Sequence, residues 1–191
     1  MARGAGQEGD VMGHEEISPP GRSGEWPEVV LRDPRPDDLE FLEFLDSAEV
    51  GGEWDSFDDP VEELLSAKDF GGDKQIVTLA DTTRVGCVSW IRVPYGPNAR
   101  SLAWSIGITI HPNYRGRGLA TSAQRQLAER LLRRSPSNRV QADTDPDNVA
   151  EQRALMSAGF TREGIARGAQ WRRGEWRDRV VFSLVRSDLT R

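Results

Sequence analysis

The 191-residue chain predicts one mixed α/β domain of about seven strands flanked by about four helices over residues 27–191, preceded by a disordered tail over residues 1–26. Three observations carry this. The length suits one sizeable core and would crowd two. The apolar pattern switches period in the order strand, two helices, three strands, helix, strand, helix, two strands. Clusters of Gly, Pro, Asn and Asp fall at the switches.

Residues 1–26 are rich in Gly, Ser, Pro and Glu and offer little apolar surface to offset the entropy of ordering. Residues 28–32 form a short apolar strand. Pro36 and Asp37-Asp38 open a helix reaching residue 47, with Leu39, Leu42 and Leu45 spaced three apart on one face. Residues 50–59 form an acidic, aromatic loop, and a second helix covers residues 60–67. Strands over residues 74–80 and 84–93 make a hairpin around Asp81-Thr82-Thr83, and Tyr95-Gly96-Pro97-Asn98 turns into a strand ending at Ile110. In the helix that begins at Leu119, a stripe of Leu119, Ala123, Leu127 and Leu131 faces the sheet, while Arg125, Arg133 and Arg134 face water. Ser135-Pro136-Ser137 ends that helix and residues 139–142 give the next strand. Asp145-Pro146-Asp147-Asn148 caps the following helix, and strands over residues 160–169 and 177–186 complete the domain.

Composition narrows the chemistry. A single cysteine, Cys87, permits no intrachain disulfide, and its apolar neighbours Val85 and Val88 suit a buried structural thiol. Two histidines and one cysteine make metal chemistry improbable. No apolar run approaches membrane-spanning length and the start carries no signal-peptide core, so a cytoplasmic protein without membrane association is expected. The net charge of −6 divides unevenly: residues 1–75 carry −15 and residues 76–191 carry +9. The basic half suits a polyphosphorylated cofactor, no interleaved basic and aromatic pattern points to nucleic acid, and the acidic half suits a cationic amine.

The most informative junction joins the strand ending at Ile110 to the helix beginning at Leu119. The first N–H groups of a helix lack intrahelical acceptors and carry the positive end of the macrodipole. Gly116 and Gly118 admit an anion close to the backbone, with Arg115 and Arg117 at the rim. No Gly-Lys-Ser/Thr follows, and two glycines stand where a dinucleotide fingerprint needs three.

Arg115-Gly116-Arg117-Gly118-Leu119-Ala120 resembles the acetyl-CoA pyrophosphate loop of the GNAT superfamily of N-acetyltransferases, one residue tighter than the commonest spacing. Asn148 through Gly159-Phe160, followed by Thr161-Arg162-Glu163-Gly164, is similar to the ribosomal-protein-alanine N-acetyltransferase branch. So is Trp176-Arg177-Asp178-Arg179-Val180-Val181-Phe182-Ser183-Leu184. The resemblance spans residues 28–189 and implies a GNAT-type, mostly antiparallel sheet. It further implies acetyl-CoA as co-substrate, with pantetheine pairing to the backbone of Ile108 and Ile110 and the pyrophosphate on Arg115, Gly116, Arg117, Gly118, Leu119, Ala120 and Thr121. Asn148 would face the pantetheine arm; read locally, it is equally a helix N-cap.

The chain departs from its relatives where catalysis is concerned. Leu155 stands where many members carry an acidic tyrosine, Glu151 where the ribosomal-protein branch often has serine, and Ser105 where a basic glutamate is sometimes found. The best base candidates are therefore Glu53, Asp55, Asp58 and Asp59 in the loop shared with Trp54 and Phe57, where partial desolvation would raise a carboxyl pKa. Asp58-Asp59-Pro60 also reads as a plain helix start. His111 is a candidate proton relay or a turn residue, and Trp104, Trp171 and Trp176 are candidates for an acceptor cleft or for core. The expected activity is acetyl transfer to a primary amine, of a small cationic molecule or a protein N-terminus, by direct attack in a ternary complex. A non-catalytic acyl-CoA-binding or sensing module is the alternative, and a homodimer is left open.

Overall fold

The computed structural model describes residues 27–52 and 71–190. They form a seven-stranded sheet with four α-helices, in the chain order β1 (Val30–Arg32), α1 (Leu39–Leu45), α2 (Ala48–Gly51), β2 (Asp73–Thr78), β3 (Arg84–Pro94), β4 (Leu102–Ile110), α3 (Leu119–Arg134), β5 (Arg139–Thr144), α4 (Val149–Ser157), β6 (Thr161–Arg172) and β7 (Glu175–Val185). The strands lie side by side in the order β1-β2-β3-β4-β5-β7-β6. Every neighbouring pair is antiparallel except β4 and β5. The α3 crossover between β4 and β5 is what a parallel pair requires.

Helices cover both faces. On one, α3 and α4 bury Leu119, Ala123, Leu127, Leu132 and Leu155 against Val88, Ile106, Val140, Phe182 and Leu184. On the other, α1 and α2 bring Leu42, Leu45 and Val50 onto Ile76 and Cys87. Burial pushes the Cys87 thiol up to about 11, so almost no thiolate exists at neutral pH. The start of α1 is fixed by Asp38, fully buried, which takes Arg32 Nη1 at 2.6 Å, Arg32 Nη2 at 2.8 Å and the Arg35 N–H at 2.7 Å. The bidentate guanidinium holds this carboxyl well below the usual carboxylate range.

Several boundaries differ from the sequence reading. The first helix breaks after Leu45, where the Ser47 hydroxyl donates to the Phe44 carbonyl at 2.7 Å and competes with the helical ladder. The chain then rewinds: Val50 and Gly51, expected in a loop, are helical in α2, drawn there by burial of Val50 beside Leu42 and Leu45. Arg125 does not face water; it is half-buried, with Nε on Glu129 at 2.6 Å and Nη1 on the Ala158 carbonyl at 3.3 Å at the end of α4. On the same helix Leu131 is only partly buried, and Ala128 and Leu132 complete the stripe. The last two strands run further, to Arg172 and from Glu175, because Arg173 and Gly174 both take positive φ, 53° and 74°, and close a two-residue hairpin. The expected tail over residues 1–26 and the expected helix over residues 60–67 lie outside the described residues.

Candidate active site

Parallel pairing of β4 with β5 stops almost as soon as it starts, at Trp104↔Val140 and Ser105↔Gln141, while β4 stays paired to β3 as far as Ile110. Beyond Ser105 the two strands separate and the sheet opens. The His111 N–H donates to the Val85 carbonyl at 2.9 Å, toward β3. Backbone groups alternate sides along an antiparallel strand, so those of Ile108 and Ile110 point the other way, into the opening.

A cavity of about 830 Å³ fills this gap. On the α3/α4 face it is bordered by Ile106, Ile108 and Ile110, by residues 114–121, and by the first turns of α4. Ser89, Gly107, Thr109 and Asp143 border it on the opposite face, together with Leu45, Asp46, Val50 and Gly51 from α1 and α2. The slot therefore passes through the sheet, and two reactants can enter from opposite sides.

At its α3 end the chain makes an anion cradle. Gly116 and Gly118 take φ of 72° and 74°, conformations that cost a side chain dearly. The first intrahelical bond of α3 is Ser122 N–H to the Gly118 carbonyl, at 3.1 Å. The N–H groups of Leu119, Ala120 and Thr121 thus precede the helical ladder and remain for a ligand. Arg115 does not stand at the rim as an open charge: Nε donates to the Ile110 carbonyl at 3.0 Å and Nη2 to the Val50 carbonyl at 2.7 Å. Arg117 lies over the Tyr114 ring, 5.5 Å from its centroid, and donates to the Asn113 carbonyl at 3.0 Å.

All ten residues assigned from sequence to the cofactor border this one cavity: Ile108, Ile110, Arg115, Gly116, Arg117, Gly118, Leu119, Ala120, Thr121 and Asn148. Asn148 is also the N-cap of α4, its Oδ1 accepting from the Glu151 N–H at 3.2 Å. The catalytic candidates fare differently. Glu53, Asp55, Asp58 and Asp59 lie outside the described residues. His111 is not part of the cavity lining. Its Nδ1 accepts from the Asn113 N–H at 3.2 Å, and its ring packs against Phe44 and Tyr114 with centroids 5.0 and 5.6 Å away. Trp104 is core, with Nε1 on Ser135 Oγ at 3.0 Å. Trp171 and Trp176 are exposed near the β6–β7 turn, edge to face, and do not border the cavity.

Three carboxylates that the sequence reading did not assign to the reaction border the slot: Asp46, Asp143 and Glu151. Asp46 caps α1 and is 3.4 Å from Lys74 Nζ; Asp143 takes Arg179 Nε at 2.6 Å. Both lie toward the α1/α2 face. Their signal in sequence was weak, because only the separation of β4 from β5 brings them to the slot. Burial pushes the Glu151 carboxyl up to about 7, and its bond from Gln124 Nε2 only partly opposes that.

A helix start with N–H groups outside its ladder is thus joined to a slot lined by strand backbone. The chain is a member of the GNAT acetyltransferase family: the family model described as an acetyltransferase (GNAT) domain matches residues 28–161. The probable N-acetyltransferase YjcK of Bacillus subtilis (strain 168) is 31% identical over 113 residues, 59% of this chain and 61% of that protein. The L-2,4-diaminobutyric acid acetyltransferase of Streptomyces coelicolor is 31% identical over 119 residues, 62% of this chain and 65% of that protein. The [ribosomal protein uS5]-alanine N-acetyltransferase of Escherichia coli (strain K12) is 29% identical over 85 residues, 44% of each chain. The chain thus spans less than two thirds of the length of these relatives. Among solved structures, the spermidine N-acetyltransferase from Vibrio cholerae in complex with CoA and spermine superposes with a TM-score of 0.67 at 18% identity, covering 85% of this chain and 98% of that one. Its fold is shared.

Among the described residues no group of three or more His, Cys, Asp or Glu gathers to hold a metal, and no helix is long and apolar enough to cross a membrane.

Proposed function

We propose that the protein transfers an acetyl group from acetyl-CoA to the primary amine of a small cationic molecule, within a ternary complex. The observation that carries this reading is the slot itself, an anion cradle on one face continuous with Asp46 and Asp143 on the other. The residues fit the co-substrate. Free N–H groups at the start of α3 suit a pyrophosphate, and an ideal Cβ at Gly116 meets nothing within 4 Å, so the loop leaves open space beside the backbone. The outward backbone of Ile108 suits the amides of a pantetheine arm. When bound, the co-substrate supplies an activated acyl carbon.

The protein's own part is largely positional. The β4 backbone and the α3 turn hold one reactant, and the carboxylates across the slot draw in an ammonium group. Each carboxylate retains lone pairs beyond its present cation, so an incoming ammonium can share it. Attack requires a neutral amine, and water in the open slot suffices to take its proton where no stronger base stands. Likeness to the diaminobutyrate enzyme supports a small acceptor carrying a second charge. Likeness to the ribosomal-protein enzyme supports a protein N-terminus over a shorter stretch of chain.

Thiol release from acetyl-CoA, followed across a panel of diamines, polyamines, amino sugars and N-terminal peptides, tests this reading. Turnover should be fastest with a compact dication. Tight binding of acetyl-CoA with no turnover on any amine would favour a sensing module instead.

A further inference from the structure

Glu151 sits in the first turn of α4, at the position whose carboxylate ordinarily folds back onto the N-cap N–H. It does not do so here. The Asn148 N–H donates instead to the Asp145 carbonyl at 3.0 Å. The Glu151 side chain crosses to α3, where Gln124 Nε2 donates to Oε1. Gln124 is 1% exposed and its Oε1 is buried without a hydrogen-bond partner. An acceptor left in this state, beside a carboxyl, calls for a proton between them or from a bound ligand.

No charge offsets the burial of Glu151. On α3, the helix packed against it, Gln124 and Thr121 are neutral, and Thr121 Oγ1 is 3.4 Å from the Ala154 carbonyl. Of the cations bordering the cavity, Arg115 is held by two carbonyls, Arg117 lies over Tyr114 and Arg179 is paired with Asp143; Arg153 follows on α4 itself. The carboxylates Asp46 and Asp143 have their own cations. Desolvation therefore dominates and the carboxyl stays protonated up to about pH 7. Leu155, one turn further along α4, is fully buried and apolar. Tyr114 contributes a phenol to the same lining.

We propose that Glu151 is the acid that protonates the sulfur leaving the acyl carbon, with Gln124 as the positioning residue that holds it. The inference rests on the acetyl-transfer reading. As the amine nitrogen–carbon bond forms, the carbon–sulfur bond breaks and its electron pair goes to sulfur. The proton on the Glu151 carboxyl moves to that sulfur, the ammonium proton of the new amide goes to water, and water reprotonates Glu151. The direction is favourable, because a thiol of ordinary pKa, about 8.5, is the weaker acid of the two.

Two measurements test it. Carbon-13 NMR of labelled glutamate in the full chain should find the Glu151 carboxyl titrating near neutrality, assigned by its loss in Glu151→Gln. Saturation with CoA should move that titration further than saturation with desulfo-CoA, which lacks only the sulfur. A midpoint in the ordinary carboxylate range, or equal shifts with the two ligands, would overturn the proposal. In the second arm, Glu151→Gln should bind acetyl-CoA within about threefold of wild type by calorimetry yet lose ~10²-fold in kcat with the best amine of the panel, together with the limb near pH 7. Unchanged kcat and pH profile in Glu151→Gln, or a loss confined to Tyr114→Phe, would reject Glu151 as the acid. If wild type turns over no amine, the acetyl-transfer reading fails on its own, and a sulfur-dependent NMR shift would still place Glu151 at the thiol.

Discussion

Arg115 Nη2 donates to the Val50 carbonyl at 2.7 Å and its Nε to the Ile110 carbonyl at 3.0 Å, so one side chain ties the loop before α3 to both the strand that precedes it and the helix on the far side of the sheet. Replacing it should therefore act on both partners of the reaction. Arg115→Ala is expected to weaken CoA binding by about tenfold and to lower stability by ~1–3 kcal/mol, since two carbonyls lose a charged donor. Calorimetry and a denaturant melt on the same variant check both. Arg115→Lys should recover little, because an ammonium cannot span the two carbonyls as the planar fork does.

Asp38 anchors the start of α1 and with it the α1/α2 side of the slot. Its folded-state pKa is depressed, so the stability it contributes is present above its unfolded value near 3.8 and is lost as pH falls below it. Asp38→Asn leaves the half-buried Arg32 without its anion. It should cost ~3 kcal/mol at pH 7 and still most of that at pH 3, where the depressed carboxyl remains ionised in the folded state, measured by urea unfolding at the two pH values. A loss that has largely vanished by pH 3 would mean that the carboxyl is not held so far down.

Glu151 behaves in the opposite sense. Its pKa is raised from 4.5 to about 7, so folding favours the protonated form and stability declines as pH rises from about 4.5 through 7. Glu151→Gln removes that cost. The variant should match wild type near pH 4.5 and exceed it by ~2–3 kcal/mol at pH 8, read from unfolding curves at the two pH values.

Asp46 and Asp143 lie where an acceptor ammonium would enter. Asp46→Asn and Asp143→Asn should each raise the Michaelis constant for a dicationic amine several-fold to about tenfold and leave acetyl-CoA affinity unchanged. Salt should narrow the difference for the exposed Asp46. If kcat falls and the Michaelis constant does not, the carboxylate acts on the proton and not on binding.

The order of the elements was legible in sequence because periodicity is a local property: the α3 stripe, the Asn148 cap and the Gly116 and Gly118 turn each declare themselves within a few residues. Boundaries failed where tertiary burial overrides local preference, as when Val50 is drawn into α2. They also failed at the hairpin turn through Arg173 and Gly174, whose first residue takes positive φ without the Asn or Asp that usually marks it. The lining proposed to hold the co-substrate was readable as one surface because a contiguous loop builds most of it. The side carrying Asp46 and Asp143 was not, because the two come from separate elements and reach the slot only where β4 parts from β5. Glu151 was noticed as a departure from its relatives, but the upward push on its carboxyl comes from burial beside α3, which sequence spacing does not reveal.

The central claim is that the cradle at the start of α3 holds the co-substrate. Gly118, at φ 74° and ψ 1°, is the N-cap of α3, and a β-branched side chain there is strained. Calorimetric titration of CoA into wild type and Gly118→Val, both verified as folded by circular dichroism, tests the claim most directly. The account predicts saturable 1:1 binding to wild type and at least a hundredfold weaker binding, roughly 3 kcal/mol, to the variant. Equal affinity in a folded Gly118→Val protein would contradict it.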